Sequence, residues 1–157
     1  MENLTRIASF TVDHDLISEG VYVSRVDGDI TTYDLRCRRP NMGDYMDNIT
    51  MHSVEHLFAT YVRNSEIKDN VIYFGPMGCQ TGFYLLVRGI CREKVYEVIV
   101  DTLKKILLHE GSVPGASRRE CGNYLCLSLD AAKAECRRYL AALETAPHRF
   151  DYPASEE

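Results

Sequence analysis

No stretch of this chain approaches the roughly 18 consecutive apolar residues that a bilayer-spanning helix needs, so no membrane association is expected. The opening residues, Met1-Glu2-Asn3-Leu4-Thr5-Arg6, lack the apolar core of a secretion signal, which makes the cytoplasm the expected compartment. The six cysteines (Cys37, Cys79, Cys91, Cys121, Cys126 and Cys136) include no C-x-x-C pair, which argues against a zinc ribbon or knuckle. In a cytosolic chain such cysteines serve more often as ligands, nucleophiles or small core residues than as disulfides. No G-x-G-x-x-G run marks a dinucleotide site, and neither repeats nor low-complexity segments occur. Clustered basic charge is scarce as well. The net charge is −5, and the one dense basic run, Arg36-Cys37-Arg38-Arg39, is too short for a nucleic-acid-binding arm. That run reads either as a solvated strand end or as an anion site, and no nucleic-acid partner is expected.

What is present suits one domain over 1–157. The length of 157 residues lies near the common domain size of about 100–150. A hydrophobic share of 45% is enough for a substantial core. Val21-Tyr22-Val23-Ser24-Arg25-Val26 and Ile30-Thr31-Thr32-Tyr33-Asp34-Leu35 are β-branched and aromatic, and Asp27-Gly28-Asp29 between them predicts a hairpin. Further strands are expected at 71–74 and 83–87. Helices are expected from a cap at Asn48 or Thr50 to about residue 63, over 92–109, and over 129–145. Ser128 and Asp130 favour the start of the last helix, and Pro147 stops it. Residues 148–157 read as a frayed tail. Helices following strands, with hairpins elsewhere, give an α+β fold with an antiparallel sheet packed against helices.

The first helix carries the chemistry. Met51, Val54, Phe58, Tyr61 and Val62 follow helical spacing and face the core, which leaves His52, Glu55 and His56 along one flank. Residues i and i+4 stack on one face of a helix, so His52 and His56 can present two imidazole nitrogens to one metal ion. Two histidines at that spacing are often only surface residues. Glu55 between them completes H-x-x-E-H, the inverted-zincin pattern, in which a carboxylate moves protons at the metal. Cys79, in the glycine-flanked loop 75–82, is either a reactive thiol or a small buried hydrophobe. Cys121 lies in the polar run Arg119-Glu120-Cys121-Gly122-Asn123, where burial for packing is a poor explanation. Two imidazoles and one thiolate leave an open position, as catalytic metal sites do, and Cys126 rivals Cys121 as the third ligand.

Three segments, taken together, resemble one family. His52-Ser53-Val54-Glu55-His56-Leu57, Pro76-Met77-Gly78-Cys79-Gln80-Thr81-Gly82-Phe83-Tyr84 and Glu120-Cys121-Gly122 occur in the order and spacing of the S-ribosylhomocysteine lyases, the LuxS family of autoinducer-2 synthases. Ser9-Phe10-Thr11-Val12-Asp13-His14, Tyr33-Asp34-Leu35-Arg36 and Arg39-Pro40-Asn41 match too, so the similarity spans nearly the whole chain. The resemblance implies a homodimer with active sites at the subunit interface. It also implies cleavage of the S-ribosylhomocysteine thioether to homocysteine and 4,5-dihydroxy-2,3-pentanedione, the autoinducer-2 precursor. One Fe2+ per subunit is implied, replaceable by Zn2+ or Co2+, with His52, His56 and Cys121 as ligands. Cys79 and Glu55 match the acid/base pair. Arg36, Ser9 and His14 match substrate contacts, and Arg63 matches the residue facing the homocysteine carboxylate. Cleaving an unactivated C–S bond requires a carbonyl two carbons away, which a Lewis-acidic metal and proton shuttling along the ribose provide without a redox cofactor.

One departure stands out. The family commonly reads Asp-Ile-Ser before Pro-Met-Gly-Cys, whereas this chain has Tyr73-Phe74-Gly75. Where the family offers a carboxylate to the substrate ammonium, Tyr73 offers a hydroxyl or a π face. An inverted-zincin peptidase is the competing reading. It needs a distal glutamate as third ligand and leaves Cys121 and the Cys79 loop without a role. A non-enzymatic metal-binding protein is a third reading, but closed structural sites rarely keep a glutamate base.

Overall fold

The Asp-Gly turn and its β-branched flanks close the hairpin that their sequence predicts. Strands β1 (Gly20–Asp27) and β2 (Ile30–Arg36) pair antiparallel, with Asp27 opposite Ile30 and Gly28 at φ +62° in the two-residue loop. In the computed structural model, which describes residues 3–145 and 149–154, β3 (Val71–Pro76) and β4 (Gly82–Arg88) form a second antiparallel pair. Strand β4 joins β2 antiparallel, and the sheet order is β3-β4-β2-β1-β5.

The last strand corrects the expected architecture. Strand β5 (Arg149–Phe150) lies parallel to β1, so the sheet is mixed rather than antiparallel. Two residues are too few for any alternation to show in the sequence. The tail that reads as frayed is tied to the sheet over residues 149–152. Tyr152 stacks on Tyr22 with ring centroids 4.8 Å apart, and its hydroxyl donates to Asp34 Oδ2 at 2.7 Å. The helix stop at Pro147 and the tail at 148 and 155–157 lie outside the described residues.

Three helices cover one face of the sheet. They are α1 (Asn48–Val62), α2 (Arg92–Leu108) and α3 (Leu129–Thr145), and they pack against one another over Tyr33, Leu35, Phe83, Leu85 and Val87. Period-2 alternation sends those strand residues inward. Phe58 of α1 stacks on Phe74 at 4.3 Å, and Phe74 on Phe83 at 5.0 Å, which fixes α1 over β3 and β4. The cap of α1 is Asp47 rather than Asn48 or Thr50, since its carboxylate accepts from Thr50 N at 2.8 Å. Val54, Leu57, Phe58 and Val62 are buried, while His52, Glu55 and His56 stay half-buried on the flank. On the sheet's other face Tyr22, Asp34 and Tyr84 sit side by side across β1, β2 and β4. No helix among the described residues is long and apolar enough to cross a membrane.

Candidate metal centre

Helical periodicity brings His52 and His56 together, and the loop before α3 supplies the third side chain. Their rings lie 4.6 Å apart and nearly perpendicular. Cys121 Sγ is 3.3 Å from His52 Nε2, and one ligand atom from each of the three residues lies within 4.8 Å of the others. The second nitrogen of each imidazole is already committed. His52 Nδ1 donates to Cys126 O and His56 Nδ1 donates to Pro114 O, both at 2.7 Å. A carbonyl only accepts, so each Nδ1 carries a hydrogen, and Nε2 is the nitrogen that holds the lone pair of the neutral ring. Metal-ligating histidines are held in this way by an acceptor behind the ring. The backbone N–H of Asn123 donates to Cys121 Sγ at 3.4 Å, which helps fix where the sulfur points. Two oriented imidazoles and a thiolate, half-buried with one side open, fit a catalytic rather than a structural metal.

The two rival cysteines are placed differently. Cys121 points its sulfur at the histidines, whereas Cys126 serves through its main-chain carbonyl. Ser53, fully buried on α1, accepts from Ser128 N at 2.7 Å and pins this loop to the helix. The opposite support was hidden in the loop 111–115. Gly115 adopts φ +74°, and a Cβ there would stand 3.1 Å from His56 Nδ1. Nothing in the sequence beyond a Gly/Pro-containing loop pointed to Pro114 or Gly115, because a carbonyl and a missing side chain leave no signature.

An open pocket of about 330 Å³ adjoins His52, and Glu55, Pro76, Asn123 and Cys126 line it as well. Glu55 thus faces the same space as His52. Pro76 ends β3 and begins the loop that carries Cys79. Cys79 is exposed, and its Sγ lies 3.1 Å from Thr81 Oγ1. Arg36 is buried and bound on three sides: Nε and Nη2 donate to the Asp34 carboxylate at 3.1 and 2.6 Å, and Nη1 donates to Thr81 Oγ1 at 2.8 Å. Burial pulls the guanidinium's pKa down, but Asp34 more than reverses this and the net shift is upward. Burial, then Asp34, likewise raises the Tyr84 hydroxyl.

The remaining expected contacts are more dispersed. Arg63 ends α1, seven residues or about two turns beyond His56, and its Nη2 donates to Ile72 O at 2.8 Å. Ser9 sits in the short 3-10 turn Ala8–Phe10, and His14 Nδ1 meets Val12 O at 2.9 Å. None of Arg36, Arg63, Ser9 and His14 lines the pocket beside Glu55. Tyr73 is exposed on β3, and its ring lies across Gly75, where any Cβ would collide with it. Of the other thiols, Cys37 and Cys136 are core residues; burial pushes both up, Cys136 to about 12.

A family model described as S-Ribosylhomocysteinase (LuxS) matches residues 7–149. A relative from Clostridium beijerinckii, named S-ribosylhomocysteine lyase, is 44% identical, with 87% of this chain and 90% of the relative covered. One of the same name from Borrelia garinii subsp. bavariensis is 41% identical over 89% of this chain and 93% of its own length. A third, from Desulfotalea psychrophila, is 40% identical over 96% and 100% respectively.

Proposed function

The chain belongs to the S-ribosylhomocysteinase (LuxS) family and is a carbon–sulfur lyase of S-ribosylhomocysteine; we propose that it works through a metal held by His52, His56 and Cys121, with Cys79 and Glu55 as its acid/base pair. The reaction moves the sugar carbonyl from C1 to C3. β-Elimination then breaks the C5–S bond, releasing homocysteine and leaving 4,5-dihydroxy-2,3-pentanedione, the autoinducer-2 precursor. The observation that carries the proposal is the pair of Nδ1–carbonyl bonds, which leave both Nε2 lone pairs free beside the Cys121 sulfur.

When bound, the metal supplies Lewis acidity that polarises the sugar's carbonyl oxygen. The protons must be moved by side chains. Glu55 opens onto the pocket beside His52 and, as a carboxylate, removes a proton from a sugar carbon and returns it to the neighbour. Cys79 does the same from the loop that follows Pro76, and one of the pair takes the C4 proton whose loss expels homocysteine. Each positioned acid or base contributes about 10²–10⁴-fold in rate. Cys79→Ala and Glu55→Ala are therefore expected to lose most turnover while retaining metal. Thiol release from S-ribosylhomocysteine, with metal analysis of both variants, checks this; loss of metal from either would make that residue a ligand.

We assign Fe2+ as the resident ion, one per subunit, with Zn2+ and Co2+ able to replace it, as the family resemblance implies; the imidazole and thiolate donors are compatible with that choice. Metal analysis of protein purified without oxygen tests that assignment. A peptidase would need a glutamate as third ligand, whereas the side chain grouped with the two histidines is Cys121.

The working form is proposed to be a cytoplasmic homodimer. Leu4, Ile7 and Phe10 stand exposed around Ser9, which suits a segment that docks on a second copy. Ser9 and His14 would then reach the partner's site, where Arg36 is a further contact. Arg63 would take the homocysteine carboxylate and Tyr73 would offer its π face to the ammonium. Mixing an inactive His14→Ala protein with an inactive Cys79→Ala protein tests the shared site: activity returns only if one subunit supplies residues to the other.

A further inference from the structure

We propose that Thr81 is a positioning residue for Cys79, its hydroxyl aimed at the sulfur because Arg36 occupies the other side of the oxygen. The inference rests on the reading of Cys79 as an acid/base group. Thr81 is buried, and among the described residues its hydroxyl makes two side-chain contacts, with Arg36 Nη1 at 2.8 Å and Cys79 Sγ at 3.1 Å. A guanidinium only donates, so Thr81 accepts from Arg36. If the Cys79 thiol also donated to it, the threonine hydrogen would be left without an acceptor in a buried place. A hydroxyl that donates to sulfur satisfies all the groups at once.

The surroundings hold that geometry still. Asp34 grips Arg36 through two hydrogen bonds and itself accepts from the Tyr152 hydroxyl at 2.7 Å. Thr81 is anchored through its main chain, since its carbonyl accepts from the N–H groups of both Cys37 and Arg38 at 2.9 Å. Between Cys79 and Thr81, Gln80 adopts a left-handed φ of +66°, and its side-chain amide donates to Met46 O at 3.0 Å. That turn lets two side chains separated by one residue meet. A relay thus runs from the C-terminal tail through Tyr152, Asp34, Arg36 and Thr81 to the Cys79 sulfur. Its effect is to hold an exposed thiol in one orientation toward the substrate.

The test compares Thr81→Val, which keeps the shape and removes the hydroxyl, with Thr81→Ser, which keeps the hydroxyl and removes the methyl. Thr81→Val is expected to lower kcat by about 10²-fold, the loss that a misplaced reacting group brings, with KM and metal content little changed. Alkylation of Cys79 by iodoacetamide at one neutral pH, read by peptide mass spectrometry, should slow in Thr81→Val and recover, with kcat, in Thr81→Ser. If Thr81→Val does not fold, Thr81→Ala gives the same comparison, since it leaves room for a water to reach Arg36. Unchanged kcat and alkylation in the hydroxyl-free variant would overturn the inference, as would a serine variant as impaired as the valine one. Cys79→Ala in the same series separates the two readings. An active Cys79→Ala enzyme sinks the acid/base assignment itself, whereas an inactive one beside an active Thr81→Val sinks only the role of Thr81.

Discussion

Gly115→Ala should loosen the metal without touching a ligand. Two effects follow from the geometry. An L-residue at φ +74° sits in the left-handed region, which costs about 1–2 kcal/mol. The new Cβ would also stand 3.1 Å from His56 Nδ1 and 3.3 Å from its Cε1, so the ring must shift by a few tenths of an ångström. That shift disturbs the 2.7 Å bond from Nδ1 to Pro114 O, which fixes the tautomer. Losing such support behind a ligand lowers metal affinity by about 10–100-fold. Gly111→Ala is the matched control: it has φ +88° in the same loop and open space around its Cβ. Both variants should lower the melting temperature of metal-free protein by similar amounts. Chelator competition should then find weakened metal binding in Gly115→Ala alone. Equal affinities in all three proteins, or an equal loss in Gly111→Ala, would refute the reasoning.

Asp47→Ala removes the cap of α1 and should cost about 1 kcal/mol, read as a fall in melting temperature. Because the Thr50 hydrogen bond holds the Asp47 carboxyl below its usual range, its contribution is full above the unfolded pKa of about 3.9 and fades as the pH drops beneath it. The gap between parent and variant should narrow on acidification; a widening gap would contradict the cap. Gly75→Ala should destabilise the parent, where Tyr73 covers that position, and be far milder in a Tyr73→Ala background. Equal losses in a double-mutant cycle would show that the two positions are independent.

Much of the fold was legible where chemistry repeats along the chain. The Asp-Gly hairpin, the α3 limits and the flank of α1 bearing His52, Glu55 and His56 all follow from turn chemistry and periodicity. The cap of α1 lay one to three residues away from the expected positions because Asp47, Asn48 and Thr50 all compete to cap it. Strand β5 escaped notice because its pairing with β1 depends on a tail returning from α3, not on any local pattern. In the site, the candidate side-chain ligands were readable and their supports were not. Cys121 and Cys126 look alike as letters, and only the fold decides which offers sulfur and which a carbonyl. Thr81 sat unremarked inside the motif of Cys79, since a buried hydroxyl between a guanidinium and a thiol requires β2 and the Cys79 loop, 45 residues apart, to be placed side by side first. Tyr73 and Gly75, both in the segment that departs from the family pattern, meet in the structure as a ring laid over a residue that has no side chain.

The most direct measurement sets Cys121→Ala beside Cys126→Ala, each assayed for bound metal and for thiol release from S-ribosylhomocysteine. Cys126→Ala keeps the carbonyl that orients His52 and is expected to hold metal and release homocysteine. Cys121→Ala is expected to do neither. Metal retention and thiol release by Cys121→Ala would contradict a lyase built on His52, His56 and Cys121.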